Sequence, residues 1–62
     1  MKLNERLKEI QGQGGKIKEI EIFWEDDICL AFAVGNDGKA FECANGRTEG
    51  QATRRLTEKV GK

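Results

Sequence analysis

The chain has no histidine and no serine, and only two cysteines among its 62 residues. Acid–base catalysis falls most often to histidine, and a serine or cysteine nucleophile needs a base beside it. No catalytic constellation is present, so the sequence reads as non-enzymatic. Structural zinc takes about four Cys or His ligands. Two cysteines fall short, and neither a metal nor a cofactor is expected. No apolar run is long enough for a signal peptide or a membrane span. The expectation is a cytoplasmic protein with no membrane partner, in which Cys29 and Cys43 are reduced and act as small hydrophobes. Net charge is lacking as well: eleven Lys and Arg balance eleven Asp and Glu. Affinity for phosphate backbones comes mainly from an excess of cations, so such a chain is a poor generic nucleic-acid binder.

Two short stretches invite a binding reading and do not sustain it. The acids of "EDD", Glu25 to Asp27, are adjacent rather than spaced as the oxygen ligands of a calcium loop are. "GQGG" follows a helical pattern and precedes a strand pattern, the reverse of a phosphate-cradling loop.

At this length residues 1–62 form one domain. A chain so short buries only about 60% of the surface its unfolded form exposes, and its core supplies no more than ~3–5 kcal/mol. A second copy helping to complete the fold is therefore expected. The balanced charge hides a gradient. Lys16 to Asp27 carries two lysines against five acids, and Arg47 to Lys62 carries five cations against two acids.

Periodicity supplies the elements. Leu3, Leu7 and Ile10 fall at i, i+4, i+7 and predict a helix over 1–11, ended by Gly12, Gly14 or Gly15. In "KIKEIEIFW", Ile20, Ile22 and Trp24 alternate with Glu19, Glu21 and Phe23, the period of a half-buried strand. After the acidic turn 25–27, "ICLAFAV" is a second strand with Ile28, Leu30, Phe32 and Val34 on one face and Cys29, Ala31 and Ala33 on the other. "GNDG" signals a hairpin, and 39–44 is a third strand with Phe41 and Cys43 on one face. Asn45-Gly46 reads as a turn. Thr48 then caps a last helix whose buried stripe is Ala52, Leu56 and Val60. The expected architecture is α+β, in the order α-β-β-β-α. A three-stranded antiparallel sheet is covered on one face by both helices, and its core face carries Ile20, Ile22, Phe32, Phe41 and Cys43.

That order resembles the double-stranded RNA-binding domain. The likeness is closest in "NDGKAFECANGRTEGQATRRL", where Gly46, Thr48 and Ala52 match the family's turn glycine, helix cap and sheet-facing alanine. "LNE" and "GGKIKEIEI" echo its first helix and the entry to its first strand. The family grips duplex RNA by shape and backbone contacts, through its first helix, a long loop between strands one and two, and a lysine pair at the start of the last helix. Here the loop is cut to Glu25-Asp26-Asp27, and Glu49 and Gly50 stand at the lysine positions. The resemblance thus implies the fold with the RNA contacts largely lost, as in members that pair with proteins or with themselves.

The functional expectation is a small binding module, a regulator or inhibitor of a larger machine. It acts by protein–protein interaction or as a homodimer, with Cys29, Ala31, Ala33 and Glu42 as the candidate partner surface. The alternative is double-stranded RNA or DNA binding through Arg47, Arg54, Arg55 and Lys59.

Overall fold

A computed structural model describes residues 2–10 and 15–61. The elements are α1 (Lys2–Glu9), β1 (Glu19–Glu25), β2 (Ile28–Val34), β3 (Ala40–Gly46) and α2 (Glu49–Val60). The three strands form one open antiparallel sheet in the order β1-β2-β3. Element order and sheet are those expected from the periodicity. Gly12 and Gly14, expected to end the first helix, lie outside the described residues, and Asn45 and Gly46 extend β3 rather than forming a turn.

The helices do not share a face. α2 packs Ala52 and Leu56 onto Cys29, Ala31, Ala33 and Ala44, with Ile20, Ile22 and Val60 alongside. α1 packs Leu3 onto Phe32 and Ala40, beside Phe23, Leu30 and Cys43. Cross-strand partners share a face, and Ile22 pairs with Ala31 while Glu21 pairs with Phe32. The two clusters therefore lie on opposite sides of the sheet, and the two-helices-on-one-face arrangement is corrected to helix, sheet, helix. Turn length is the reason. Glu25 pairs with Ile28, so the first hairpin turns through Asp26 and Asp27 alone. Asp26 takes a φ of 54°, in the left-handed region that Asp tolerates better than most residues. A turn one residue shorter than Glu25-Asp26-Asp27 reverses every side chain of β1 relative to β2. Ile20 and Ile22 thereby part from Phe32.

A second irregularity moves Phe41. Ala33 pairs with Glu42 but Val34 with Ala40, leaving Phe41 as the extra residue of a bulge. A bulge re-aims the side chain it carries. Phe41 packs with the α2-side cluster, while Cys43, two residues on, stays with the α1-side cluster. The bulge follows a turn in which Gly38 donates to the oxygen of Gly35 across 3.0 Å and takes a φ of 79°.

Each helix is held differently. The Thr48 hydroxyl accepts from the Gln51 amide at 3.1 Å and caps α2. A Cβ on Gly46 would sit 2.7 Å from the Ala52 nitrogen, so the close seating of this helix on β3 depends on glycine. α1 is anchored by charge. Arg6 donates through Nε to Glu21 Oε1 (2.7 Å) and through Nη2 to Glu21 Oε2 (3.2 Å). Its Nη1 reaches Glu9 Oε1 at 2.7 Å and the Gly38 oxygen at 2.8 Å. The Arg6 side chain is 11% exposed, whereas Leu7, expected on the buried stripe, is 48% exposed. On α1 the guanidinium occupies the sheet-facing place that periodicity assigns to Leu7.

Candidate functional site

The residues expected to form a partner surface lie mostly inside the protein. Cys29, Ala31 and Ala33 have no exposed surface, because Ala52 and Leu56 of α2 pack onto them. They cannot meet a partner. Glu42 is partly buried and bonded at the edge of β3. Cys29 and Cys43 are free thiols on opposite faces. Burial pushes the thiol of each upward, and at Cys43 the Lys59 ammonium works against that push.

Three of the four cations of the nucleic-acid alternative gather about Arg55. Arg47 and Arg55 line a shallow depression with Asp27, Ile28, Asn45 and Gly46. Arg55 and Lys59 line a neighbouring one with Ala44, Asn45 and Glu58. Arg54 is exposed and lines neither. Lys59 and Arg55 are occupied in another way, at the edge of the sheet.

Two backbone contacts show which way each strand residue points. Gly35 donates its amide to Lys39, toward β3, and Val34 accepts from Lys18, toward β1. Backbone polar groups alternate sides along a strand. In β2 the odd-numbered residues therefore bond toward β3 and the even-numbered ones toward β1. Through the register, Cys43 and Asn45 of β3 turn their backbone groups outward, as do Ile20, Ile22 and Trp24 of β1.

The outer edge of β3 is sealed by side chains. Lys59 Nζ donates to the Cys43 oxygen at 2.9 Å, and Arg55 Nη1 to the Asn45 oxygen at 3.1 Å. The Cys43 amide donates to Glu42 Oε1 at 3.0 Å, and Lys59 lies 3.5 Å from the same oxygen. At the start of the strand the Ala40 amide donates to Glu9 Oε1 at 3.0 Å. Just past its end the Arg47 amide donates to Gln51 Oε1 at 2.8 Å. Both helices and β3 itself supply these groups.

The outer edge of β1 is uncapped among the described residues. Among the described residues, no side chain bonds to the backbone of Ile20, Ile22 or Trp24. β1 is seven residues long, and its Trp24 is 52% exposed. An edge strand with unpaired amides and carbonyls is a template for another strand, and proteins ordinarily blunt it. Here one edge is blunted and the other is not. The periodicity marks Ile20, Ile22 and Trp24 as one row, but only strand order shows that their backbone groups face outward.

No helix among the described residues is long and apolar enough to cross a membrane. No cluster of three His, Cys, Asp or Glu among them could hold a metal ion. No family model, curated protein or solved structure matches the chain.

Proposed function

We propose that this chain is a non-enzymatic protein-binding module, of the kind that regulates or inhibits a larger assembly, and that it takes an extended segment of its partner along the outer edge of β1. The observation that carries this reading is the contrast between the edges: β3 is capped by Lys59, Arg55 and Glu42, and among the described residues no side chain caps β1. Strand addition draws affinity from main-chain hydrogen bonds and selectivity from alternate side chains. The row Ile20, Ile22 and Trp24 favours a segment with apolar residues at alternate positions. Nucleic-acid binding through Arg47, Arg54, Arg55 and Lys59 is the lesser reading, because Arg55 and Lys59 are engaged by the sheet.

The test is capture from native lysate by three baits, followed by hydrogen exchange on the recovered complex. The wild type and an Arg47→Ala, Arg54→Ala double variant are expected to retain the partner after nuclease treatment, and Trp24→Glu to lose it. The amides of Ile20, Ile22 and Trp24 are expected to become protected in the complex. Loss of binding on nuclease treatment or in the arginine variant, or no protection of those amides, would overturn the proposal.

A further inference from the structure

We propose that the strand taken up by β1 is β1 of a second copy of this chain, antiparallel and centred on Ile22. This inference rests on β1 being the receptive edge, and it specifies the occupant.

Only the outward-facing residues Ile20, Ile22 and Trp24 can exchange backbone hydrogen bonds with a second β1. Two-fold symmetry then permits few registers. Centring on Ile22 places Ile22 opposite its own counterpart and Ile20 opposite Trp24 of the second copy, in both directions, and it uses all three outward residues of each chain. Centring on Glu21 leaves Trp24 opposite Lys18. Centring on Phe23 leaves Ile20 opposite Asp26. The Ile22 register alone keeps the apolar row continuous, and it covers the indole that is half exposed in the single chain.

Charge is balanced at the ends of this register. Lys18 meets the acidic turn Asp26-Asp27 of the second copy, twice by symmetry. Glu19 meets Glu25 of the second copy on the opposite face, also twice, so attraction on one face offsets repulsion on the other. Cross-strand pairs of these kinds are individually weak. The sealed β3 limits the assembly. With one open edge per chain among the described residues, pairing closes at two copies and yields a six-stranded sheet whose outer strands are the two β3, capped at Cys43 and at the Asn45 oxygen.

Sedimentation equilibrium on the full chain tests this, with two variants at exposed positions. The wild type is expected to form a dimer that dissociates on dilution. Glu19→Lys turns two like-charge pairs into opposite-charge pairs and is expected to tighten the dimer about tenfold. Trp24→Glu removes both indole contacts and is expected to weaken it at least tenfold. Isotope-filtered spectra of a mixed-label dimer should connect Ile20 of one copy with Trp24 of the other. A wild type that stays monomeric at high micromolar concentration, or a dimer indifferent to both variants, overturns the self-pairing. Amide exchange separates this failure from failure of the underlying reading. Fast exchange at Ile20, Ile22 and Trp24 in such a monomer leaves β1 open for another partner, whereas protection there shows that β1 is not an open edge.

Discussion

The ammonium of Lys59, on the last turn of α2, donates to the backbone oxygen of Cys43 across 2.9 Å. One turn earlier, Arg55 does the same to Asn45. A helix face that would otherwise be solvated charge is laid along the rim of the sheet. Its long aliphatic stems carry the charged heads over the edge.

Removing both caps with Lys59→Ala and Arg55→Ala should expose the β3 acceptors and give each chain two open edges. Association then has no reason to close. Light scattering should show large species that grow with concentration and that the wild type lacks. The melting temperature should move only slightly, because Lys59 and Arg55 are exposed and exposed charged contacts contribute little to folding.

Two glycines should respond oppositely to alanine. A Cβ at Gly46 would lie 2.7 Å from the Ala52 nitrogen, which belongs to backbone and cannot swing aside. Gly46→Ala should force α2 off β3 and cost about 1–3 kcal/mol. Gly50 lies in the first turn of α2 with nothing within 4 Å of the added atom. Gly50→Ala should stabilise by about 0.5–1 kcal/mol, through helix propensity and a less flexible unfolded chain. Urea denaturation of the two variants beside the wild type measures both signs.

The opposite-face cores make separate demands on a small domain. Leu56 and Phe32 are both fully buried, one on the sheet-facing side of α2 and the other beneath α1. Phe32 also meets Phe23 edge-on, with centroids 5.4 Å apart at 87°. Leu56→Ala should cost about 2–5 kcal/mol and Phe32→Ala about 3–5. Against a stability of only ~3–5 kcal/mol for a core of this size, either should leave the chain largely unfolded by circular dichroism.

Acid should loosen α1 through Glu9. The Ala40 amide, and after it the Arg6 guanidinium, hold the Glu9 carboxyl below its ordinary value of 4.5. A carboxylate depressed in the folded state stabilises above its unfolded pKa, and that contribution fades as the pH falls through the folded value. Glu9→Gln should therefore lower stability at neutral pH and flatten the acid limb of the stability curve below pH 4.5. Thermal melts across pH 3 to 7 compare the two limbs. Equal slopes in wild type and variant would remove Glu9 from the anchor.

Much of the architecture was legible in residue order alone. Period two and period 3.6 mark the strands and helices, and Thr48, Ala52 and Leu56 take the roles their spacing assigns. The reduced cysteines also fall on opposite faces, as alternation along the strands implies. What the linear pattern left undecided turned on single residues. Asp26-Asp27 in place of a three-residue turn sent Ile20 and Ile22 to the side opposite Phe32. The bulge at Phe41 separated it from Cys43. Arg6 displaced Leu7 from the buried stripe, because a guanidinium with two carboxylates and a carbonyl within reach is better satisfied against the sheet than in solvent. The difference between the two edges was beyond sequence reasoning. Local periodicity determines which residues share a row. Which strand lies outermost, and which side chains reach across to cover its backbone, is set by contacts between segments far apart in the chain, such as Lys59 with Cys43 and Glu9 with Ala40.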